Sequence, residues 1–523
     1  MTPCKITVKN YRCFEDSQPM IIQLGAGFTA LLGPNNSGKS SFLRMLWELR
    51  ALWSSALGAL PNAGANVSIN YTDVPDPEEI FSHQNNRDIE IRLDFFQGDL
   101  PASVTYLSAA VMTASRSGMN TWAIRFELSD PKGTPIGLGT HALKSNVLHT
   151  GQQGNIDCSA VTSVLNAFIN AYYIGPFRNA ISEATATYFD LAIGTSFIAS
   201  WDQWKNGTSH QQMRIARQVT SDLEHIFEFD RLEINASVDG KTLNVLIDGQ
   251  PYRLQELGAG LSQFIIVLAN TAMRRPSLVL IDEPELSLHP SLQIDFLTSL
   301  ASYATEGIVF ATHSVGLART TAEHIFSFRK ESGRAVVRPF EQLQGYAEFL
   351  GELSFSTFKD LGFDCVLLVE GVKDVKTVQQ FLRFLHKDHK VVIIPLGGDE
   401  LAAGNAEHEL GELRRLSDRV FALVDSERER EDATPIQARL QFMDVCKKLG
   451  ITVCVTERRA LENYLSDTAV KQVLGSTFSA LGPYELLSAA SKPWGKDKNW
   501  RIARAMSLQD IESTDVGRFL ASL

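Results

Sequence analysis

Gly33-Pro34-Asn35-Asn36-Ser37-Gly38-Lys39-Ser40 is a G-x-x-x-x-G-K-S run lying between an apolar stretch, Phe28 to Leu32, and a helix-spaced one. Its glycines allow successive backbone N–H groups to curl around an anion, and the helix that follows adds the positive end of its dipole. In that arrangement Asn35, Asn36, Ser37 and Gly38 form a phosphate cradle, Lys39 brings a point charge to the outer phosphates and Ser40 offers a hydroxyl to Mg²⁺. Far downstream, Leu278-Val279-Leu280-Ile281 runs into Asp282-Glu283-Pro284-Glu285. Adjacent carboxylates at the end of a buried strand suit Asp282 to hold Mg²⁺ through water, and Glu283 to orient or deprotonate an attacking water. The two segments together imply ATP binding, and the long stretch between them implies a large insertion.

A second set of acids lies toward the C-terminus. Val366-Leu367-Leu368-Val369 stops at Glu370, turns at Gly371 and enters a helix with Asp374 in its first turn. Val391 to Pro395 leads to Leu396-Gly397-Gly398-Asp399, and Val420 to Val424 leads to Asp425-Ser426-Glu427. If these strands are parallel, their C-terminal ends share one edge, where Glu370, Asp374, Asp425 and Glu427 can converge. Carboxylates without histidine or cysteine select Mg²⁺ or Mn²⁺. Glu457 and Glu462, in Thr456 to Tyr464, are candidates for a second metal, or else partners of Arg458 and Arg459 on an exposed helix. Lys496 and Lys498 can set a cation beside a phosphate, or can belong to an ordinary solvated face.

The elements that must position these groups follow from periodicity. Lys5 to Asn10, Met20 to Leu24 and Phe28 to Leu32 read as strands, and Ser41 to Leu52 as a helix through Leu43, Leu46, Trp47 and Leu49. Phe189 to Phe229 reads as helical, with Lys205 to Gln212 as a surface loop; the insertion is placed at about 185–230. Ile308 to Phe310 reads as a strand leading to Ala311-Thr312-His313-Ser314. Glu341 to Asp360 reads as a join, and from Cys365 strand and helix alternate, as in a parallel sheet. The expected fold is α/β in two parts: 1–345 a nucleotide-binding head with a helical insertion, 346–523 a parallel-sheet domain with a helical tail.

Composition narrows the function classes. A chain of 523 residues exceeds one compact core, and 44% hydrophobic with 21% charged residues excludes disordered and fibrous classes. A net charge of −11 argues against a protein that coats nucleic acid, while leaving room for a local basic groove. No apolar run is long enough for a membrane helix and no secretory leader is visible, so a cytoplasmic location is expected. The six cysteines, Cys4, Cys13, Cys158, Cys365, Cys446 and Cys454, contain no C-x-x-C pair and read as reduced core residues.

The order of motifs resembles an ATP-binding-cassette head. Glu256-Leu257-Gly258-Ala259-Gly260-Leu261-Ser262-Gln263 is similar to its signature, with Gly258 and Gly260 toward nucleotide; Leu288-His289-Pro290 lies near its dimer loop, and His313 stands where its switch histidine contacts the γ-phosphate. The resemblance implies dimerisation through the heads. Ala259 stands where relatives carry a serine, which removes a hydroxyl donor and speaks against rapid turnover. Val8-Lys9-Asn10-Tyr11-Arg12-Cys13-Phe14 is similar to the opening of heads in the RecF, SMC and OLD group, and Tyr173-Ile174-Gly175-Pro176-Phe177-Arg178 resembles a segment of OLD-type heads. The acidic pattern looks like a Toprim domain, although Glu427 replaces its usual aspartate, and Glu462-Asn463-Tyr464 is similar to the segment that follows the Toprim core.

Over nearly the whole chain the layout resembles the OLD family, in particular nuclease subunits of the Gabija type of anti-phage system. The resemblance implies an ATP-regulated, metal-dependent endonuclease acting on DNA, with Glu370 and Asp425 at the centre of the site, Lys496 or Lys498 assisting, and a second defence protein as a possible partner. An RNA-cutting toxin and a non-catalytic ATP-dependent sensor scaffold are the alternatives.

Overall fold

The structure, a computed structural model, describes residues 1–96, 105–129, 134–136, 141–150, 154–176, 187–286, 288, 290–331, 333–340, 365–388, 390–396, 410 and 419–523. The chain divides into two compact units, Met1–Ser314 with His324–Phe340, and Val315–Glu323 with Glu341–Leu523. The proposed join from Glu341 to Asp360 lies outside the described residues.

In the first unit, a sheet of described strands runs in the order Tyr172–Ile174, Leu278–Asp282, Gly307–Thr312, Gly27–Leu32, His324–Glu331 and Arg334–Pro339, parallel except for the last. Leu278–Asp282 and Gly307–Thr312 are buried at every position, as a sheet covered on both faces requires. A second sheet, antiparallel throughout, takes the order Met20–Leu24, Cys4–Lys9, Ile89–Phe95, Leu107–Ala114, Thr121–Leu128 and Gly64–Ser68. Alternating burial along Cys4–Lys9 and Ile89–Phe95 turns one face of this sheet inward, where it shares a core with Phe42, Leu43 and Leu46 of the helix Lys39–Glu48. The helical pattern from Ser41 breaks at Leu49 into Lys39–Glu48 and Arg50–Ala59. In the insertion, helices Gly194–Asn206 and His210–Ile226 leave only a brief break, shorter than the expected loop Lys205 to Gln212, because Ser209 caps the second helix by accepting from the Gln212 N–H.

The opening segment acts on the phosphate loop from behind. Glu48, at the end of the helix Lys39–Glu48, has no exposure, yet its carboxylate accepts from the Tyr11 hydroxyl at 2.9 Å and from Arg12 Nη2 at 2.8 Å, and forms an ion pair with Arg44 at 2.8 Å. A buried carboxylate with this many donors holds the helix against the first strand's exit. Cys13 and Phe14 press on Gly38 from the same segment.

The second unit carries a parallel sheet in the order Val391–Pro395, Cys365–Val369, Val420–Val424 and Thr452–Val455. Helix Val372–Phe384 packs Val375, Val378, Phe381 and Leu382 into one core, which also holds Ile502, Ile511, Val516 and Leu520 from the C-terminal helices. The other face of the sheet is covered by Phe442, Val445 and Cys446 of helix Gln437–Lys448.

Removing the buried acid takes from Arg12 and Arg44 the carboxylate they share. Glu48→Ala is expected to cost about 3–5 kcal/mol, read as a lower midpoint in urea unfolding, and Glu48→Gln less, since an amide oxygen still accepts from Tyr11. Equal stability of Glu48→Ala and the parent would show that the network holds nothing.

Candidate nucleotide site and acidic site

Parallel register sets the first site. Asp282 is level with Ala311 and Thr312 with Leu32, so Gly33, His313 and Glu283 leave their strands at one edge. Gly38 has φ 106°, and a Cβ there would lie 2.9 Å from Cys13 Sγ and 3.2 Å from Phe14 Cε1, so that only glycine fits. Asn36 also takes a left-handed conformation, φ 61°. Lys39 is buried and folds back on its own loop, Nζ donating to Gly33 O at 2.6 Å and Pro34 O at 2.9 Å. Burial lowers its pKa, with Asp282, Glu283 and Glu285 opposing. The Ser37 hydroxyl is buried and has no hydrogen-bond partner among the described residues.

Opposite the loop, burial raises the Asp282 pKa while a hydrogen bond with Ser40 lowers it, which puts these two side chains together. Glu283 sits at φ 54°, a costly conformation for a residue with a Cβ, held by its N–H donating to Ala311 O at 2.9 Å. His313 Nε2 lies 2.8 Å from Asn35 Oδ1 and 3.3 Å from Glu283 Oε1, bridging the loop and the acid strand. Glu285, to which its spacing assigns no role, fixes this histidine: its Oε1 accepts from the Thr312 hydroxyl at 2.7 Å and the His313 N–H at 2.9 Å. Its only signal in sequence was being a third acid after the strand. Gly258 and Ala259 are exposed and Gly260 half-buried at the start of helix Ala259–Arg274, open to solvent. His289, Phe177 and Arg178 lie outside the described residues; Tyr172–Ile174 pairs in parallel with the acid strand.

In the second unit, Val369 is level with Pro395 and Leu423, and Val424 with Val455, so Glu370 and Asp425 emerge side by side. Glu370 Oε1 accepts from the Asp425 N–H at 2.7 Å and pairs with Arg439 Nη2 at 2.7 Å. Arg439 Nε also donates to Asp425 O at 3.0 Å, and Asp425 Oδ1 accepts from the Leu461 N–H at 3.0 Å. Asp374 Oδ2 caps its own helix, accepting from the Gly371 N–H at 3.0 Å. Glu462, 4% exposed, pairs one oxygen with Lys496 Nζ at 3.0 Å, and Oε2 has no partner among the described residues. Asp399 lies outside them.

Removal from water raises the pKa of Asp425, and Glu370, Asp374 and Glu462 push it further the same way. Burial likewise raises Glu370, against Arg439, and Asp374, against Lys496. Burial by itself lowers the pKa of Lys496, but Glu462, Asp425 and Asp374 more than offset it and keep the ammonium charged. Among the described residues no three His, Cys, Asp or Glu side chains converge closely enough to hold an ion as they stand: Glu370 is turned to Arg439 and Glu462 to Lys496.

Not all the predicted residues meet here. Glu427, at φ 54°, is turned to Arg459 at 2.8 Å. Glu457 stands in solvent, its side chain 70% exposed and 3.9 Å from Arg518, away from the cluster. Lys498 is exposed, whereas Lys496 reaches the acids, because they sit on a short turn whose successive residues point apart. Arg458 and Arg459 do not serve Glu457 and Glu462: Arg458 lies 4.8 Å from the Tyr464 ring centroid and Arg459 pairs with Glu427. Asn463 donates to Gly482 O at 2.7 Å and Glu485 O at 2.9 Å, so Glu462-Asn463-Tyr464 anchors the loop that carries Glu462. Arg439 was missed, since a lone arginine on a helix gives no signal in sequence.

An acid whose pKa is raised by folding destabilises the fold above that pKa, and the penalty fades as pH falls toward the ordinary carboxylate value. With metal chelated, Asp425→Asn is therefore expected to raise stability at alkaline pH, with little gain near about pH 4. Unfolding midpoints across pH check this; a gain that grows toward acid would contradict it.

Residues 1–136 match the profile described as "AAA ATPase domain" and residues 161–319 the one described as "AAA domain, putative AbiEii toxin, Type IV TA system". Both matches are to ATPase domains and fall almost wholly in the first unit. No curated protein matches the chain in sequence. Among solved structures, the SMC head domain from Thermotoga maritima aligns at 14% identity and TM-score 0.34, covering 65% of this chain and 100% of that one. An SMC head bound to the C-terminal winged-helix domain of ScpA aligns at 14% identity and TM-score 0.40, over 65% and 98%. No helix among the described residues is long and apolar enough to cross a membrane.

Proposed function

We propose that this chain is an ATP-regulated, divalent-metal-dependent endonuclease that cleaves DNA phosphodiesters in defence against phage. The second unit is read as a Toprim domain, and the first as a head that dimerises across Gly258 and Gly260. What supports this most is the set Glu370, Asp374, Asp425 and Glu462 with Lys496 around one sheet edge in a unit separate from the ATPase. So many charges out of water oppose folding unless a ligand uses them.

The donor set fits Mg²⁺ or Mn²⁺: it is all oxygen, and Glu462 Oε2 is a buried acceptor left open. Glu370, Asp374 and Asp425 would hold one ion, with Glu462 the candidate ligand for another. Bound metal would supply an activated water and stabilise the leaving oxygen of a phosphodiester. Lys496 brings positive charge to the scissile phosphate, and Arg439 orients Glu370. Among the described residues none is assigned to read the sugar, and cleavage of RNA is the second reading.

At the other site Ser40 and Asp282 would hold Mg²⁺, Lys39 leaves its carbonyls for the phosphates of ATP, Glu283 orients water and His313 reads the γ-phosphate. Ala259 suits slow, sensing turnover. Regulation has a covalent route: directly after His313 and Ser314 the helix Val315–Thr321 belongs to the second unit, where buried Lys376 pairs with Glu323 and donates to Thr321 O at 3.1 Å.

Lys39→Ala is expected to abolish ATP binding in isothermal titration, and Glu283→Gln to keep binding while losing about 10²–10⁴-fold in hydrolysis. Parental hydrolysis by Glu283→Gln would remove the acid from its role. Glu370→Ala and Asp425→Ala should each abolish Mg²⁺- or Mn²⁺-dependent cleavage of plasmid DNA with ATP affinity unchanged. ATP should alter the parent's cleavage rate but not that of Lys39→Ala; cleavage surviving Glu370→Ala would refute the nuclease reading.

A further inference from the structure

We infer that the second unit takes up an unstacked nucleotide in a recess beside its acids, so that the substrate it prefers is single-stranded or locally opened nucleic acid; this rests on the nuclease reading above. A cavity of about 380 Å³ opens next to Glu462 and Lys496. Its size is at the low end of pockets that enclose a small organic ligand, roughly 300–1,000 Å³. It has room for one base with its sugar.

The lining is divided by chemistry. It joins apolar Leu486, Pro493 and Trp494 to two ion pairs, Arg459 with Glu427 and Lys496 with Glu462. A nucleotide has the same division, a flat apolar face joined to an anionic phosphate, and stacking on such a surface is sequence-tolerant because every base has a π-face. The indole is held in place: Trp494 Nε1 donates to Asn499 Oδ1 at 3.0 Å, and both residues are buried. Leu486 is 46% exposed at the cavity, which leaves its apolar side chain accessible to a ligand there. Glu462 Oε2, buried and unpartnered among the described residues, leaves a polar contact on the charged side for a ligand or its metal to complete.

A base inside a duplex cannot reach such a recess. It must leave its stack, which is easiest where the strand is already open or mispaired. The rim contact Leu486 and the exposed Ser488 therefore act as specificity-determining positions rather than catalytic ones.

The test uses the full chain with Mn²⁺ and ATP on end-labelled oligonucleotides of one sequence: single-stranded DNA, single-stranded RNA, a perfect duplex and a duplex with a central unpaired bubble. Opened DNA or opened RNA should be cleaved at least about tenfold faster than the perfect duplex, the scale of one base contact. Leu486→Asp, which puts charge on the apolar side, and Ser488→Trp, which fills the recess, should each collapse that preference, chiefly through KM. Their unfolding midpoints check that both variants fold. Equal cleavage of open and paired substrates, or a preference that survives both variants, overturns this inference and leaves the nuclease reading standing. No cleavage of any substrate overturns both.

Discussion

Carboxylates at the ends of strands buried on both faces lose their water, and the arrangement of both units follows from the need to neutralise them. Isolated buried charge is too costly to keep, so each acid has a cation or a set of N–H donors within reach. In the first unit Lys39 stands over Asp282, Glu283 and Glu285. In the second, Arg439 takes Glu370, and Lys496 faces Glu462, Asp425 and Asp374.

Backbone conformation follows the same demand. Glu283 and Glu427, one in each unit, occupy left-handed φ just after a strand's end, where glycine or asparagine would be easier. The turn directs Glu283 toward His313 and Glu427 toward Arg459, instead of along the strand axis. Strain of this kind persists only where surrounding contacts dictate it: the Glu283 N–H is bound to Ala311 O and the Glu427 N–H to Arg459 O. The network of Tyr11, Arg12 and Arg44 on Glu48 does the equivalent for the phosphate loop, holding the helix that starts at Lys39 from its far end.

Much was legible in the sequence because it rests on local rules. The strands at Met20–Leu24, Cys365–Val369, Val391–Pro395 and Val420–Val424 are runs of apolar residues stopped by turn chemistry, and they stand where the pattern put them. The glycine-rich loop was equally plain, since G-x-x-x-x-G-K-S is a pattern contained within one short segment. The antiparallel strands between Gly64 and Leu128 were not placed, because their pairing joins segments far apart and a short alternating run does not name its partner.

What the sequence by itself determined is which residues are able to do chemistry: a lysine after glycines, acids after buried strands, a histidine after another. Those are properties of residue type and of position within an element. Which of them act together was decided by the tertiary structure, through sheet register and the direction of each turn. Glu462 and Glu457 look alike in sequence, as do Lys496 and Lys498, yet only Glu462 and Lys496 reach the acids, since a short turn sends neighbouring side chains opposite ways. Arg439 joined the site because packing of helix Gln437–Lys448 on the sheet carries it to Glu370, a contact that spacing along the chain does not encode.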